Sequence, residues 1–213
     1  MNYEAIFVDW DGTLSDSKFW DRWRDDPDRA DKYQRIQKAL FESTDGRILV
    51  NKWMTGCRSY GDVLSYLSDS AGIYSSYLEE ELRYSAENMQ FIDTSVLPMI
   101  QRLREIGKQV VVATDNMDTF NLWTTPALGL HDHFDDVLNS ASIGYLKKET
   151  PPIGNSSVFF NRYLNEMGIP AENTVLIDNS LDAKSLEKSG INFLHVTKNQ
   201  PLAYHLENIL NNS

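Results

Sequence analysis

The sequence predicts an α/β fold, a doubly wound parallel sheet with a helical insertion after its first strand. Three observations carry this. Short apolar runs rich in β-formers recur along the chain, and most of them end in polar residues. Amphipathic stretches with helical spacing lie between them. One long segment, 15–92, breaks the alternation with helical patterns alone. Strand–helix alternation implies parallel strands with helices on both faces, and ligands then sit at the C-terminal strand ends.

The first strand is read over Glu4–Val8 and runs into Asp9 and a glycine-containing turn. The second, Lys108–Ala113, ends at Thr114-Asp115-Asn116. The third, Asn173–Ile177, ends at Asp178-Asn179-Ser180, and the fourth, Ile191–Val196, is weaker. All four read as fully buried. A helix is expected over Thr94–Ile106, with Val96, Leu97, Ile100, Leu103 and Ile106 on one face, Asp93 as N-cap and Gly107 past the end. Val158–Met167 has helical spacing closed by Gly168 and Pro170, and Ser180–Ser189 and Pro201–Leu210 are shorter helices. Within 15–92, Asp25-Asp26-Pro27-Asp28 and Thr44-Asp45-Gly46 read as turns between helices. The chain therefore divides into an α/β core, 1–14 with 93–213, and a helical unit, 15–92.

Length and composition fit this plan. A chain of 213 residues, 41% hydrophobic, suits one domain carrying a smaller insertion. No apolar run approaches the roughly 18–20 residues that span a bilayer. Met1-Asn2-Tyr3-Glu4 lacks a basic signal-peptide start, and Ala5–Val8 is too short for a signal core. A single cysteine, Cys57, allows no internal disulfide and no cysteine zinc site, so a reducing, cytoplasmic setting is expected. The net charge of −11 repels nucleic acid and anionic lipid. An anionic substrate would need locally placed cations.

The chemistry-bearing residues gather at the strand ends. Asp9-x-Asp11-Gly12-Thr13 places two acids two positions apart, where an extended backbone points both the same way. Two carboxylates a few ångströms apart repel by about 4 kcal/mol at an effective dielectric near 20, so a divalent cation, a proton or a basic partner must offset them. Oxygen ligands without cysteine or histidine favour Mg²⁺. Taken alone, the segment could be an Asx-turn. Thr114, Lys147 or Lys148, and Asp178 with Asp182 add a hydroxyl, an ammonium and a second acid pair. Singly these are ordinary: a threonine caps, a lysine is solvated, and an aspartate opens a helix. The combination is far less ordinary: a hydroxyl and an ammonium can hold phosphate oxygens, and two further carboxylates can complete a Mg²⁺ site. His131-x-His133 reads as the end of a helix before Phe134 rather than as a metal site.

The ordered set resembles the haloacid dehalogenase-like hydrolase superfamily. Its first motif is matched by Asp9-Trp10-Asp11-Gly12-Thr13-Leu14-Ser15-Asp16-Ser17, its second by Thr114, its third by Ser140 through Gly144 to Lys147, and its fourth by Asp178-x-x-x-Asp182. The resemblance implies a Rossmann-like core with an α-helical cap over 15–92. It also implies a Mg²⁺-dependent phosphatase acting on a small phosphorylated metabolite. Asp9 would be the nucleophile and Asp11 the acid and base. Thr114, Asp115 and Lys147 would lie at the phosphate, and Asp9, the Asp11 carbonyl, Asp178 and Asp182 around the metal. Dehalogenases of the superfamily lack the second aspartate, so Asp11 favours phosphoryl chemistry. A phosphomutase keeps it and stays open, as does a non-catalytic phosphate-responsive binding protein. Two departures stand out: Lys148 replaces a common proline, and Asp115 a common asparagine. Trp20, Trp23, Trp53, Arg47, Lys52 and Arg58 are candidate substrate contacts in the cap, and the oligomeric state is unread.

Overall fold

A computed structural model describes residues 3–149, 158–181, 186 and 189–212. Five parallel strands form one sheet in the order β3-β2-β1-β4-β5. They are β1 (Ala5–Val8), β2 (Gln109–Thr114), β3 (Asp136–Asn139), β4 (Thr174–Asp178) and β5 (Asn192–His195). The central strand β1 pairs Val8 with Val112 of β2 and with Ile177 of β4. That register brings Asp9 level with Asp178, and the Asp9 N–H donates to the Ile177 carbonyl at 2.9 Å.

Alternate residues of the sheet supply two cores. One face sets Ile6, Val8, Val110, Val112, Val175 and Ile177 against helices 96–105 and 202–211. The other sets Ala5, Phe7, Val111, Ala113 and Leu176 against Phe159, Phe160, Tyr163 and Leu164 of helix 158–167. Strands buried on both faces must be apolar throughout, which is why β1, β2 and β4 read as continuous runs.

The strand prediction needs two corrections. The short strand β3, with the sequence Asp-Val-Leu-Asn, was not foreseen, because an edge strand buried on little of its surface carries no apolar run. The other edge, β5, is half-buried to exposed rather than fully buried. The expected helix at 180–189 falls largely outside the described residues.

Between β1 and β2 the chain is helical. The order is α1 (Asp21–Arg24), α2 (Ala30–Gln37, running into a wide turn at Lys38–Glu42), α3 (Thr44–Met54), α4 (Tyr60–Ala71) and α5 (Ser75–Glu87). These helices share their own apolar centre of Trp23, Ile36, Leu40, Val63, Leu67 and Leu78. Thr44-Asp45-Gly46, expected as a turn, is instead the first turn of α3, capped by the Ser43 hydroxyl accepting from the Gly46 N–H at 2.9 Å. Helix α4 opens with a capping box between Ser59 and Asp62. No helix among the described residues is long and apolar enough to cross a membrane.

Candidate active site

The C-terminal ends of β1, β2 and β4 converge as the fold class predicts. Lys147 is the centre of the cluster. Its ammonium lies 2.6 Å from Asp9 Oδ1 and 2.5 Å from Asp178 Oδ2, and all three side chains are at least 96% buried. The Lys147 backbone N–H donates to Asp115 Oδ1 at 2.8 Å, so the loop after β2 also fixes this lysine. Lys148 is exposed, and the choice between the two lysines falls to Lys147.

Asp178 is held in place by its own turn. Its Oδ1 accepts from the Ser180 N–H at 2.7 Å, the Ser180 hydroxyl at 2.9 Å and the Leu181 N–H at 3.0 Å. Oδ2 is thereby left to Lys147. Burial works against the Asp178 charge, but Lys147 and these donors outweigh it and hold the carboxyl below the usual range. Asp9 has fewer donors, and burial pushes it up to about 7 against the pull of Lys147, with Asp178 adding repulsion. Burial alone would lower the Lys147 pKa, yet Asp9, Asp178 and Asp115 raise it above that of an ordinary lysine. Burial likewise raises Asp115, with Lys147 opposing. Asp178 is thus the settled anion, and Asp9 the carboxyl whose charge depends on what stands beside it.

The structure separates Asp11 from this cluster. The chain leaves the extended conformation at Trp10, whose carbonyl accepts from the Leu14 and Ser15 N–H groups at 2.9 Å each. Asp11 therefore does not stack on Asp9 as a strand residue would. It is exposed and ion-paired with Lys18. The acid pair that shares a cation is Asp9 with Asp178. Gly12 makes the turn possible: its φ is +75°, and a Cβ there would stand 2.1 Å from the Asn179 side-chain amide. A side chain at position 12 would have to displace the Asn179 amide, which packs over the β1 turn beside Thr13.

Thr114 is fully buried at the end of β2, and its hydroxyl has no hydrogen-bond partner among the described residues. An orphaned buried hydroxyl costs about 1–3 kcal/mol, a cost that a ligand oxygen beside it would remove. Asp182 lies outside the described residues. The carboxylates of Asp9 and Asp178 already converge on one cation, and their donor set is oxygen alone. That set fits Mg²⁺, which takes one or two carboxylates and completes its shell with water and phosphate. Among the described residues no group of three His, Cys, Asp or Glu gathers as a closed metal cage.

This cluster is the floor of the site, and beside it a cavity of about 430 Å³ lies between the loops after β1 and β2 and α2–α3. The cavity meets the cluster through Trp10, next to Asp9, and Asp115, which holds Lys147. Its polar lining includes Asp11, Lys18, Asp115 and Asn116, and its apolar lining Phe19, Trp20, Tyr33 and Trp53. Of the six residues weighed as cap contacts, Trp20 and Trp53 reach it. Trp23 is buried within the helical layer, Arg47 donates to the Phe41 and Glu42 carbonyls, Lys52 is exposed and Arg58 pairs with Asp62. Trp20 has φ 60° and is the only non-glycine residue with positive φ among the described residues. That conformation costs about 1–2 kcal/mol and is held by the Trp20 N–H on Ser85 Oγ at 3.0 Å and the indole N–H on the Leu78 carbonyl at 3.3 Å.

The sequence reading missed Lys18, Ser180 and Asp118. Asp118 accepts the Trp53 indole N–H on Oδ1 at 2.6 Å and the Tyr60 N–H on Oδ2 at 3.0 Å, tying α3 and the start of α4 to the loop after β2. Ser140 adds a second tie, donating to the Met54 carbonyl at 2.6 Å. A helical signal could have flagged neither the Asp118 nor the Ser140 tie, because each of their partners lies 58 or more residues away in sequence.

Comparison with known proteins agrees with the fold. The sequence model described as "Hydrolase: haloacid dehalogenase-like hydrolase" matches residues 3–190. No curated protein matches. Among solved structures, a predicted HAD-like family hydrolase from Porphyromonas gingivalis superposes with TM-score 0.71 at 18% identity, covering 99% of this chain and 98% of that one. A HAD family enzyme from Bacteroides thetaiotaomicron, in complex with magnesium and inorganic phosphate, gives TM-score 0.63 at 16% identity over 92% and 94%. An L-2-haloacid dehalogenase from Xanthobacter autotrophicus with chloropropionic acid covalently bound gives 0.63 at 14% over 97% and 83%.

Proposed function

This chain belongs to the haloacid dehalogenase-like hydrolase family, and we propose that within it the chain is a Mg²⁺-dependent phosphatase of a small phosphate monoester. The observation that carries the reading is the buried set Asp9–Lys147–Asp178 beside a cavity with Asp11 in its wall. The magnesium and phosphate in the Bacteroides relative support it. The dehalogenase neighbour has the same fold, so fold alone does not choose between the chemistries. Asp11 favours phosphoryl transfer, by the family resemblance.

Asp9, Asp178 and the Asp11 carbonyl would hold Mg²⁺, with Asp182 as a further candidate. The ion would supply positive charge against the phosphoryl oxygens and the two carboxylates. Asp9, as carboxylate, attacks phosphorus, and the bond to the ester oxygen breaks. Asp11, turned from Lys18 and in its protonated form, gives its proton to the departing oxygen. Thr114 and Lys147 donate to the phosphoryl oxygens. Asp11 then takes a proton from water, which attacks the aspartyl-phosphate and frees Asp9 and inorganic phosphate. Mg²⁺ and Lys147 together would answer the problem posed by a net charge of −11, placing positive charge where an anion must bind. The substrate is then a soluble phosphorylated metabolite and the setting the cytoplasm, with neither nucleic acid nor membrane as partner.

The test is Mg²⁺-dependent phosphate release from p-nitrophenyl phosphate and a panel of metabolite phosphates. Wild type should turn over at least one of them. Asp9→Asn should not, while keeping its circular dichroism spectrum. A wild-type rate in Asp9→Asn removes Asp9 as nucleophile.

A further inference from the structure

We propose that the cavity beside Asp9 selects phosphate esters of flat, weakly polar alcohols, such as arylmethyl groups, over sugar phosphates and esters bearing a second anion. The assignment rests on the phosphatase reading and deepens it.

Three features of the wall point this way. Phe19 stacks on Trp53 with ring centroids 6.0 Å apart and planes 30° apart, and meets Trp20 edge-on at 6.2 Å. Both indole N–H groups are already engaged, Trp20 with the Leu78 carbonyl and Trp53 with Asp118. The indoles themselves are buried and back the wall, and the surface it offers a ligand comes from the half-buried Phe19 and Tyr33 and the exposed Phe41, which rewards a flat apolar group. Trp20 is also the residue held at positive φ, so the fold keeps this ring in place against its backbone preference.

The lining is mostly apolar, and its polar side chains are Asp11, Ser17, Lys18, Gln37, Asp115 and Asn116. A sugar carries several hydroxyls, and each one left unpaired against the aromatic wall weakens binding on the order of tenfold. The charges argue against a second anion. The lining has two carboxylates, Asp11 and Asp115, against one ammonium, Lys18, which is already paired with Asp11. Lys147 lies at the floor and serves the transferred phosphoryl group.

Hydrolysis breaks the P–O ester bond. Water gives its oxygen to phosphorus and a proton to the departing alcohol. The comparison therefore uses primary alcohols of similar reactivity: 2-naphthylmethyl phosphate, 3-carboxybenzyl phosphate and glucose 6-phosphate. We expect kcat/KM for the naphthylmethyl ester to exceed that for glucose 6-phosphate by about 100-fold, and that for the carboxybenzyl ester by about 10-fold. Phe19→Ala should narrow the first ratio about tenfold, chiefly through KM. Calorimetric binding of the same esters to Asp9→Asn reads the preference without turnover. If no ester is hydrolysed but the binding order holds, the phosphatase reading fails and the pocket assignment stands. Equal kcat/KM values or equal affinities across the three esters overturn the assignment, as does a Phe19→Ala variant that keeps the wild-type ratio.

Discussion

The floor and the roof of the site follow opposite physical rules. At the floor, Lys147, Asp9 and Asp178 are charged, buried and mutually dependent. At the roof, Phe19, Trp20 and Trp53 are apolar, and the one ion pair beside them, Lys18–Asp11, stands in solvent. Charges removed from water interact strongly and cannot be removed singly without leaving an uncompensated partner. Exposed charges are screened and exchange partners freely. The contrast assigns bond-making to the floor and selection to the roof. Under the proposed phosphatase mechanism Asp11 would exchange protons with leaving group and water, and it lies on the solvent side of the boundary.

That contrast can be broken at several points. The largest effect belongs to Asp9→Asn, which should lower Mg²⁺-dependent turnover by more than about a thousandfold. Steady-state phosphate release measures it, and a loss under tenfold would contradict the covalent role. Next is Lys147→Met, which leaves two buried carboxylates facing each other. Urea unfolding without metal should show a loss of about 3–5 kcal/mol, partly recovered by millimolar Mg²⁺. A loss below about 1 kcal/mol would mean that the floor is as solvated as the roof.

The floor should also respond to pH with a definite sign. The Asp9 carboxyl is raised from 3.8 in the unfolded chain to about 7 in the metal-free fold. Between those values the unfolded chain gives up the proton first, so the contribution of this group to stability falls as pH rises from about 4 to 7. The Tm of metal-free wild type minus that of Asp9→Asn should decline across this window and level off above it. A flat difference would place Asp9 in a solvated setting. Smaller again is Asp118→Ala, which strips the buried Trp53 indole of its acceptor. It should cost about 1–3 kcal/mol in thermal or urea unfolding. Lys18→Ala should be smallest, within about 0.5 kcal/mol, since both partners of its pair are more than half exposed. A larger loss would show that the roof too depends on charge.

Legibility divides along the same line. Asp9, Thr114 and Asp178 could be read from the sequence because a doubly buried strand is an apolar run, and its polar end is where the run stops. Lys147 could be reached only through motif order, since no strand precedes it directly. Strand β3 was hidden because an edge strand carries little hydrophobic signal. The position of Asp11 was misread because its orientation depends on the turn at Trp10 rather than on strand alternation. Phe19, Lys18 and Asp118 have roles fixed by partners brought together only in the folded chain, and helical spacing alone marks such residues as core or solvent.

The carboxylate of Asp118 joins these two worlds as a mechanical part. It sits four residues after Thr114, on the loop that also holds Lys147 through Asp115, and grips Trp53 and Tyr60 with separate oxygens. One short loop thus carries hydrogen bonds to both the Lys147 backbone and the Trp53 indole. A movement of that loop would be felt at both, and any coupling of a ligand at the wall to the position of Lys147 would have to be reciprocal.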